Sequence, residues 1–125
     1  MKRFYRVKRR KTAVRRPCKN SYNTAPERQV KAILERLDIK YQQQFPLRRK
    51  FYDFYLPDYN VLLEVDGVYW HGKNLTFEEK SPVQKRSHRN DEYKDALAKI
   101  YGFTLLRIWE GECTIRNIKR LLKIE

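Results

Sequence analysis

Cysteine is scarce in this chain of 125 residues. Only Cys18 and Cys113 occur, and neither sits in a metal-binding spacing. That excludes a cysteine-based metal site and predicts two free thiols in a reducing compartment. No apolar run approaches the length of about 18 residues that a transmembrane helix needs. The N-terminus lacks an apolar h-region, so no secretory signal is expected. Acidic residues are missing from the first 26 positions, and Glu27 is the first of them. Internal repeats are absent as well.

The charge is correspondingly lopsided. The chain holds 29 Lys and Arg against 15 Asp and Glu, a formal charge of +14. Ten of those cations are Lys2, Arg3, Arg6, Lys8, Arg9, Arg10, Lys11, Arg15, Arg16 and Lys19. Residues 20–125 therefore carry 19 basic and 15 acidic side chains, or +4. The chain reads as a basic arm, residues 1–23, followed by one nearly balanced domain, residues 24–125. Such an arm is a footprint for phosphate backbones. A lipid surface fits less well, because no strong amphipathic anchor accompanies the cations. Aromatic residues make up 14% of the chain, which argues against wholesale disorder.

The domain opens with Thr24-Ala25-Pro26-Glu27, which matches the capping box, and a helix is expected from Thr24 to about Asp38. Val30, Ile33, Leu34 and Leu37 form its apolar stripe. Strands are expected over Lys40–Phe45, Phe51–Leu56 and Val61–Val65. Pro46 with Arg48-Arg49-Lys50 marks the first turn, and Pro57-Asp58-Tyr59-Asn60 the second. Val61–Val65 is apolar on both faces and so belongs inside the sheet. After a polar loop over residues 72–82, a helix is expected over residues 83–101, stopped by Gly102. Phe103–Trp109 reads as a buried strand and Thr114–Leu122 as a last helix, with Ile115, Ile118, Leu121 and Leu122 inward. The order α-β-β-β-α-β-α predicts an α/β (α+β) fold, a small mixed sheet flanked by helices.

Charged residues inside an apolar strand are costly unless paired, hydrogen-bonded or metal-bound. Three acids sit in two neighbouring strands: Asp53 in the first, Glu64 and Asp66 in the second. A hairpin through residues 57–60 brings Asp53 close to residues 64–66 and gathers carboxylates at one end of the sheet. Two uses fit them: ion pairs with the abundant Arg and Lys, or oxygen ligands for a hard divalent cation such as Mg²⁺. Three acids together favour the cation, which would activate water and neutralise charge on a phosphodiester. His71 follows at a strand-to-loop exit, where its near-neutral pKa suits a general base. Tyr69 and Trp70 serve equally as core or as rings that stack on bases. Glu27 is fully explained by the capping box. For Asp91 two helical stripes compete: Leu97, Ala98 and Tyr101 put it on the inner face, whereas Tyr93, Leu97 and Ile100 turn it away.

Taken in order, Tyr52-Asp53-Phe54-Tyr55-Leu56-Pro57, Leu63-Glu64-Val65-Asp66-Gly67-Val68-Tyr69-Trp70-His71, Asn90-Asp91-Glu92 and Gly102–Glu110 resemble the very-short-patch repair endonucleases. They are also similar to the homing endonucleases with an E-D-x-H-D site. Both groups have the restriction-endonuclease-like fold, related to the PD-(D/E)xK enzymes. The resemblance covers roughly residues 24–118 and places the five positions on Glu27, Asp53, Val65, His71 and Asp91. It implies a metal held by Asp53 and the Val65 carbonyl; Glu64 and Asp66, acids placed in the strand itself, are further candidate ligands. It also implies water activation by His71, support from Asp91 and Glu27, and aromatic wedging by Tyr69 and Trp70. Asp66 joins the candidate catalytic set. The repair enzymes carry a structural zinc site of further His and Cys residues. Here Gly72-Lys73-Asn74-Leu75 follows instead, so no zinc is expected. Glu64 and Asp66 also make this strand more acidic than theirs, a departure from the mismatch-repair pattern.

The resulting expectation is a Mg²⁺- or Mn²⁺-dependent DNA endonuclease of the cytoplasm, in a prokaryotic or phage setting. Arg9, Arg10, Lys11, Arg15, Arg16, Arg48, Arg49 and Lys50 would contact phosphates, with Lys85, Arg86 and Arg89 as further candidates. Two alternatives stand beside it: a non-catalytic nucleic-acid-binding protein on the same fold, and a junction resolvase or transposon-type nuclease.

Overall fold

Val61-Leu62-Leu63 has no polar side chain to offer solvent on either face, and all three side chains are buried. A computed structural model describes residues 24–125; the basic arm, residues 1–23, with Cys18 lies outside the described residues. The apolar run opens β3 (Val61–Asp66), an inner strand of a four-stranded sheet. The sheet also contains β1 (Gln42–Leu47), β2 (Lys50–Leu56) and β4 (Thr104–Trp109), in the order β1-β2-β3-β4. β1, β2 and β3 meander antiparallel, while β4 lies parallel to β3. A parallel neighbour needs a long crossover, and α2 (Pro82–Ile100) lies within it. With α1 (Ala25–Arg36) and α3 (Ile115–Leu122), the chain runs α-β-β-β-α-β-α, as the sequence predicts.

The helices cover both faces of the sheet. Val30 and Leu34 of α1 and Ile118 and Leu122 of α3 close on Phe54, Leu56, Val61, Leu63 and Ile108. Leu97 and Ala98 of α2 close on Leu47, Tyr52 and Leu62. This packing decides between the two stripes of α2. Tyr101 packs with Leu97 and Ala98, whereas Ile100 is 77% exposed and Tyr93 52% exposed. Asp91 therefore lies on the inner face. Gly102 ends α2 at φ +80°, with its N–H bonded to the Lys99 carbonyl and the Phe103 N–H to that of Ala98. These are the paired bonds of a left-handed helix terminus. Asp38 holds the same conformation, φ 55°, at the end of α1.

Three local expectations are corrected. The last strand, expected to be buried, is β4 at an edge of the sheet, where Ile108 alone is buried because, among the described residues, no strand covers its far side. β1 runs two residues later than expected and includes Pro46, which pairs with Phe51. β1 is an edge strand, so a residue without an N–H removes no inner ladder bond there. The Thr24 side chain makes no cap hydrogen bond. The first turn of α1 borders the cavity beside β2 and β3, and Glu27 is buried there. The capping box forms on α2 instead, where Ser81 Oγ accepts the Gln84 N–H at 3.2 Å and Gln84 Oε1 accepts the Ser81 N–H at 2.9 Å. Among the described residues no helix is long and apolar enough to cross a membrane.

Candidate active site

β2 and β3 pair along their backbones from Phe54–Leu56 to Val61–Leu63. Beyond that point side chains take over. The Asp53 carboxylate accepts the Val65 N–H at 2.8 Å, and Glu64 Oε1 accepts the Asp53 N–H at 3.0 Å. The strands thus end as a clasp of two carboxylates rather than a main-chain ladder. Lys94 of α2 closes the clasp, its Nζ 2.9 Å from Glu64 Oε1 and 4.8 Å from the Tyr52 ring centroid. The Tyr52 hydroxyl in turn donates to the Lys94 carbonyl at 2.8 Å.

A second cluster forms where the chain leaves β3. The turn after Gly67 is tied down on both sides: Glu110 Oε1 accepts the Val68 N–H at 2.8 Å, and Gln84 donates to the Tyr69 carbonyl at 2.7 Å. This delivers His71 to α2, with Nδ1 2.5 Å from Asp91 Oδ2. An ionised carboxylate only accepts, so Nδ1 carries the proton in that contact and Nε2 is left as a base. Asp66 Oδ1 lies 3.6 Å from Nε2. Arg107 of β4 donates to Asp66 at 3.1 Å, to Asp91 Oδ1 at 3.4 Å and to Asp95 at 2.8 Å. The ligand atoms of Asp66, His71 and Asp91 all lie within 4.8 Å of one another, a spacing with room for a metal ion.

A cavity of about 570 Å³ joins the two clusters, with Glu27, Asp53, Glu64, Val65, His71, Asp91 and Lys94 among its walls. Burial pushes the Asp53 carboxyl well above its ordinary range, and the Glu64 and Glu27 charges add to that. The Val65 N–H and Lys94 oppose it. Burial also raises Asp66, against Arg107 and His71. The hydrogen bond to Asp91 raises His71 above its ordinary 6.5, against burial and with help from the Asp66 charge. Arg107 is partly desolvated, yet Asp95, Asp66 and Asp91 keep it cationic.

The structure therefore brings Glu27, Asp53, Glu64, Val65, His71 and Asp91 to one cavity. Asp66 is buried behind His71 and is not on the cavity wall. Trp70 borders the cavity at 58% exposure, with Tyr69 edge-on beside it at 67%. Arg48 and Arg49 are both exposed, Arg48 bonding the Tyr101 hydroxyl, and Lys50 bonds Asn90. Arg9, Arg10, Lys11, Arg15 and Arg16 lie outside the described residues. Sequence reasoning missed Lys94 and Arg107. Both had a signal: Lys94 is three residues before Leu97 on the inner stripe, and Arg107 is a charge inside an apolar strand, like the acids that were singled out.

A mixed four-stranded sheet flanked by three helices, with acids and a histidine where β2 and β3 part, matches a nuclease-like fold. Among solved structures, the chain is similar to the catalytic domain of the homing endonuclease I-Bth0305I. The two are 28% identical over 80% of this chain and 88% of that one, with a TM-score of 0.53. No family model matches the chain, and no curated protein matches it.

Proposed function

We propose that the chain is a divalent-metal-dependent endonuclease that hydrolyses phosphodiester bonds in DNA. The observation that carries this reading is the placement of Asp53 and the His71–Asp91 pair on the walls of one cavity. The resemblance to a homing endonuclease catalytic domain points the same way.

The donor set suits a hard cation. Asp53, Glu27 and Glu64 crowd together, and their mutual repulsion is what a divalent ion relieves. Asp53 and the Val65 carbonyl would hold Mg²⁺ or Mn²⁺, with Glu64 beside them. A bound ion supplies charge neutralisation on the phosphodiester and polarises water. The chain's own residues do the rest. Asp91 fixes the imidazole through Nδ1, and Nε2 takes the proton of the attacking water. Asp66 Oδ1 lies 3.6 Å from that same Nε2, where its charge favours the proton once transferred. Glu27 sits close enough to raise the Asp53 carboxyl and tunes it. Trp70 and Tyr69 present exposed rings to bases. Arg49, with Arg48, Lys50 and the arm of residues 1–23, contacts phosphates.

The test is supercoiled plasmid with Mg²⁺, using wild type, Asp53→Ala and His71→Ala. Metal-dependent nicking by wild type alone is expected, with a loss of about 10²–10⁴-fold for the histidine variant. Equal DNA binding by all three without nicking rejects the reading in favour of a binding protein.

A further inference from the structure

Arg107 lies between Leu106 and Ile108 in β4 and meets three acids from two other elements. Nη1 donates to both oxygens of Asp66, at 3.1 and 3.4 Å, and to Asp91 Oδ1, and Nη2 donates to Asp95 and to the Asp91 main-chain carbonyl at 3.4 Å. Asp66 and Asp91 are also the two acids that flank His71. A guanidinium stays charged throughout the working pH range and meets carboxylates in a fixed fork. It already supplies, between these two acids, the positive charge that their spacing would otherwise offer to a metal ion. Asp66 is moreover buried off the cavity wall, whereas Asp53 and Val65 are on it. Arg107 does not border that cavity. It lines a separate groove of about 410 Å³ with Asp95, Lys99 and Phe103, so it reaches the reacting groups only through Asp66 and Asp91.

We propose that the Arg107 guanidinium is the fixed cation of the Asp66–His71–Asp91 cluster, standing where a second divalent ion would stand in a two-metal site. The site then binds one ion, on the Asp53 side, and Arg107 is a positioning residue. The inference rests on the endonuclease reading but is tested apart from it.

The test is Mn²⁺ alone, titrated by calorimetry into the full chain at neutral pH. Wild type takes up one ion. D53N weakens it at least about tenfold, the scale of a lost metal-site contact, while D66N leaves the affinity within about twofold. R107M lifts the fixed charge and admits a second ion, whereas R107K keeps the charge and does not. Any wild-type stoichiometry other than one overturns the proposal. So does loss of the ion in D66N with its retention in D53N, or equal binding by R107M and R107K. If R107M does not fold, the D53N and D66N pair decides. In a parallel nicking assay R107K lowers kcat with KM for DNA within about twofold, because the residue acts through others. An equal change in KM argues for substrate contact and against a positioning role. Nicking with the wrong stoichiometry overturns this inference alone. One ion without nicking overturns the endonuclease reading alone.

Discussion

The Asp53 carboxylate accepts the Val65 N–H at 2.8 Å, so a side chain of β2 fills the place of a main-chain acceptor opposite β3. That contact parts the two strands at the cavity and fixes one carboxylate oxygen, while the half-buried acid stands among Glu64 and Glu27. The arrangement costs stability. A carboxyl whose pKa rises on folding binds its proton more tightly in the native state. Its penalty grows as pH climbs from the unfolded value of about 3.9 through the raised folded value.

Asp53→Asn keeps an oxygen for the Val65 N–H and removes the charge. In the presence of a chelator it should stabilise the chain at neutral pH by about 0.5–2 kcal/mol. Adding Mg²⁺ should raise the melting temperature of wild type and leave that of the variant unchanged, since only the native site binds the ion. A variant that melts below wild type in chelator contradicts the assigned burial penalty. Differential scanning fluorimetry with and without Mg²⁺ reads both effects.

The 2.5 Å contact of His71 Nδ1 with Asp91 favours the imidazolium. A base must first lose that proton, so nicking should rise with pH through a midpoint above about 6.5, the ordinary histidine value. Asp91→Asn removes the charge that favours the proton and should move the midpoint down. It should also lower the plateau, by less than the about 10²–10⁴-fold that a general base contributes. A midpoint that stays put in the variant separates Asp91 from the titrating group. The measurement is the single-turnover rate at saturating DNA across pH.

Lys94 and Glu64 form a buried pair at 2.9 Å. Lys94→Met leaves the carboxylate without its charge partner and should cost about 3–5 kcal/mol in urea denaturation. Glu64→Gln on top of it removes the stranded charge while keeping an acceptor for the Asp53 N–H. The double variant should recover at least about half of that loss, because the two residues touch and their effects do not add. Additive losses would show that the pair contributes no coupling.

Much of this was legible from residue order. Apolar runs with turn residues between them fix the seven elements, and β3 declares itself inner by being apolar on both faces. The three strand acids stand out because burial is expensive for a charge. What escaped was geometry between distant segments. Glu27 satisfies a capping-box pattern, yet the position of α1 against β2 and β3 buries it in the cavity. The side of α2 that faces inward was undecided from sequence, since both stripes are apolar. Packing of Leu97 and Ala98 on Tyr52 and Leu62 settles it and brings Asp91 to His71. Lys94 and Arg107 went unnoticed because a basic chain makes any one cation look like surface.

On the proposed function, the basic arm should bear on DNA affinity rather than on chemistry. Its ten cations stand within 19 residues and without an acid, and they precede Thr24, which borders the cavity. Each phosphate neutralised should add about 0.9 to the slope of log affinity against log salt. Replacing Arg9, Arg10, Lys11, Arg15 and Arg16 by Gln in the full chain should therefore flatten that slope by up to about 4.5 and weaken binding most at low salt. Nicking at saturating DNA should be unchanged, because the proposed chemistry uses none of the five. Fluorescence anisotropy from low to moderate salt reads the slope. An unaltered slope assigns the phosphate contacts to the folded domain, with Arg49 the first residue to replace there.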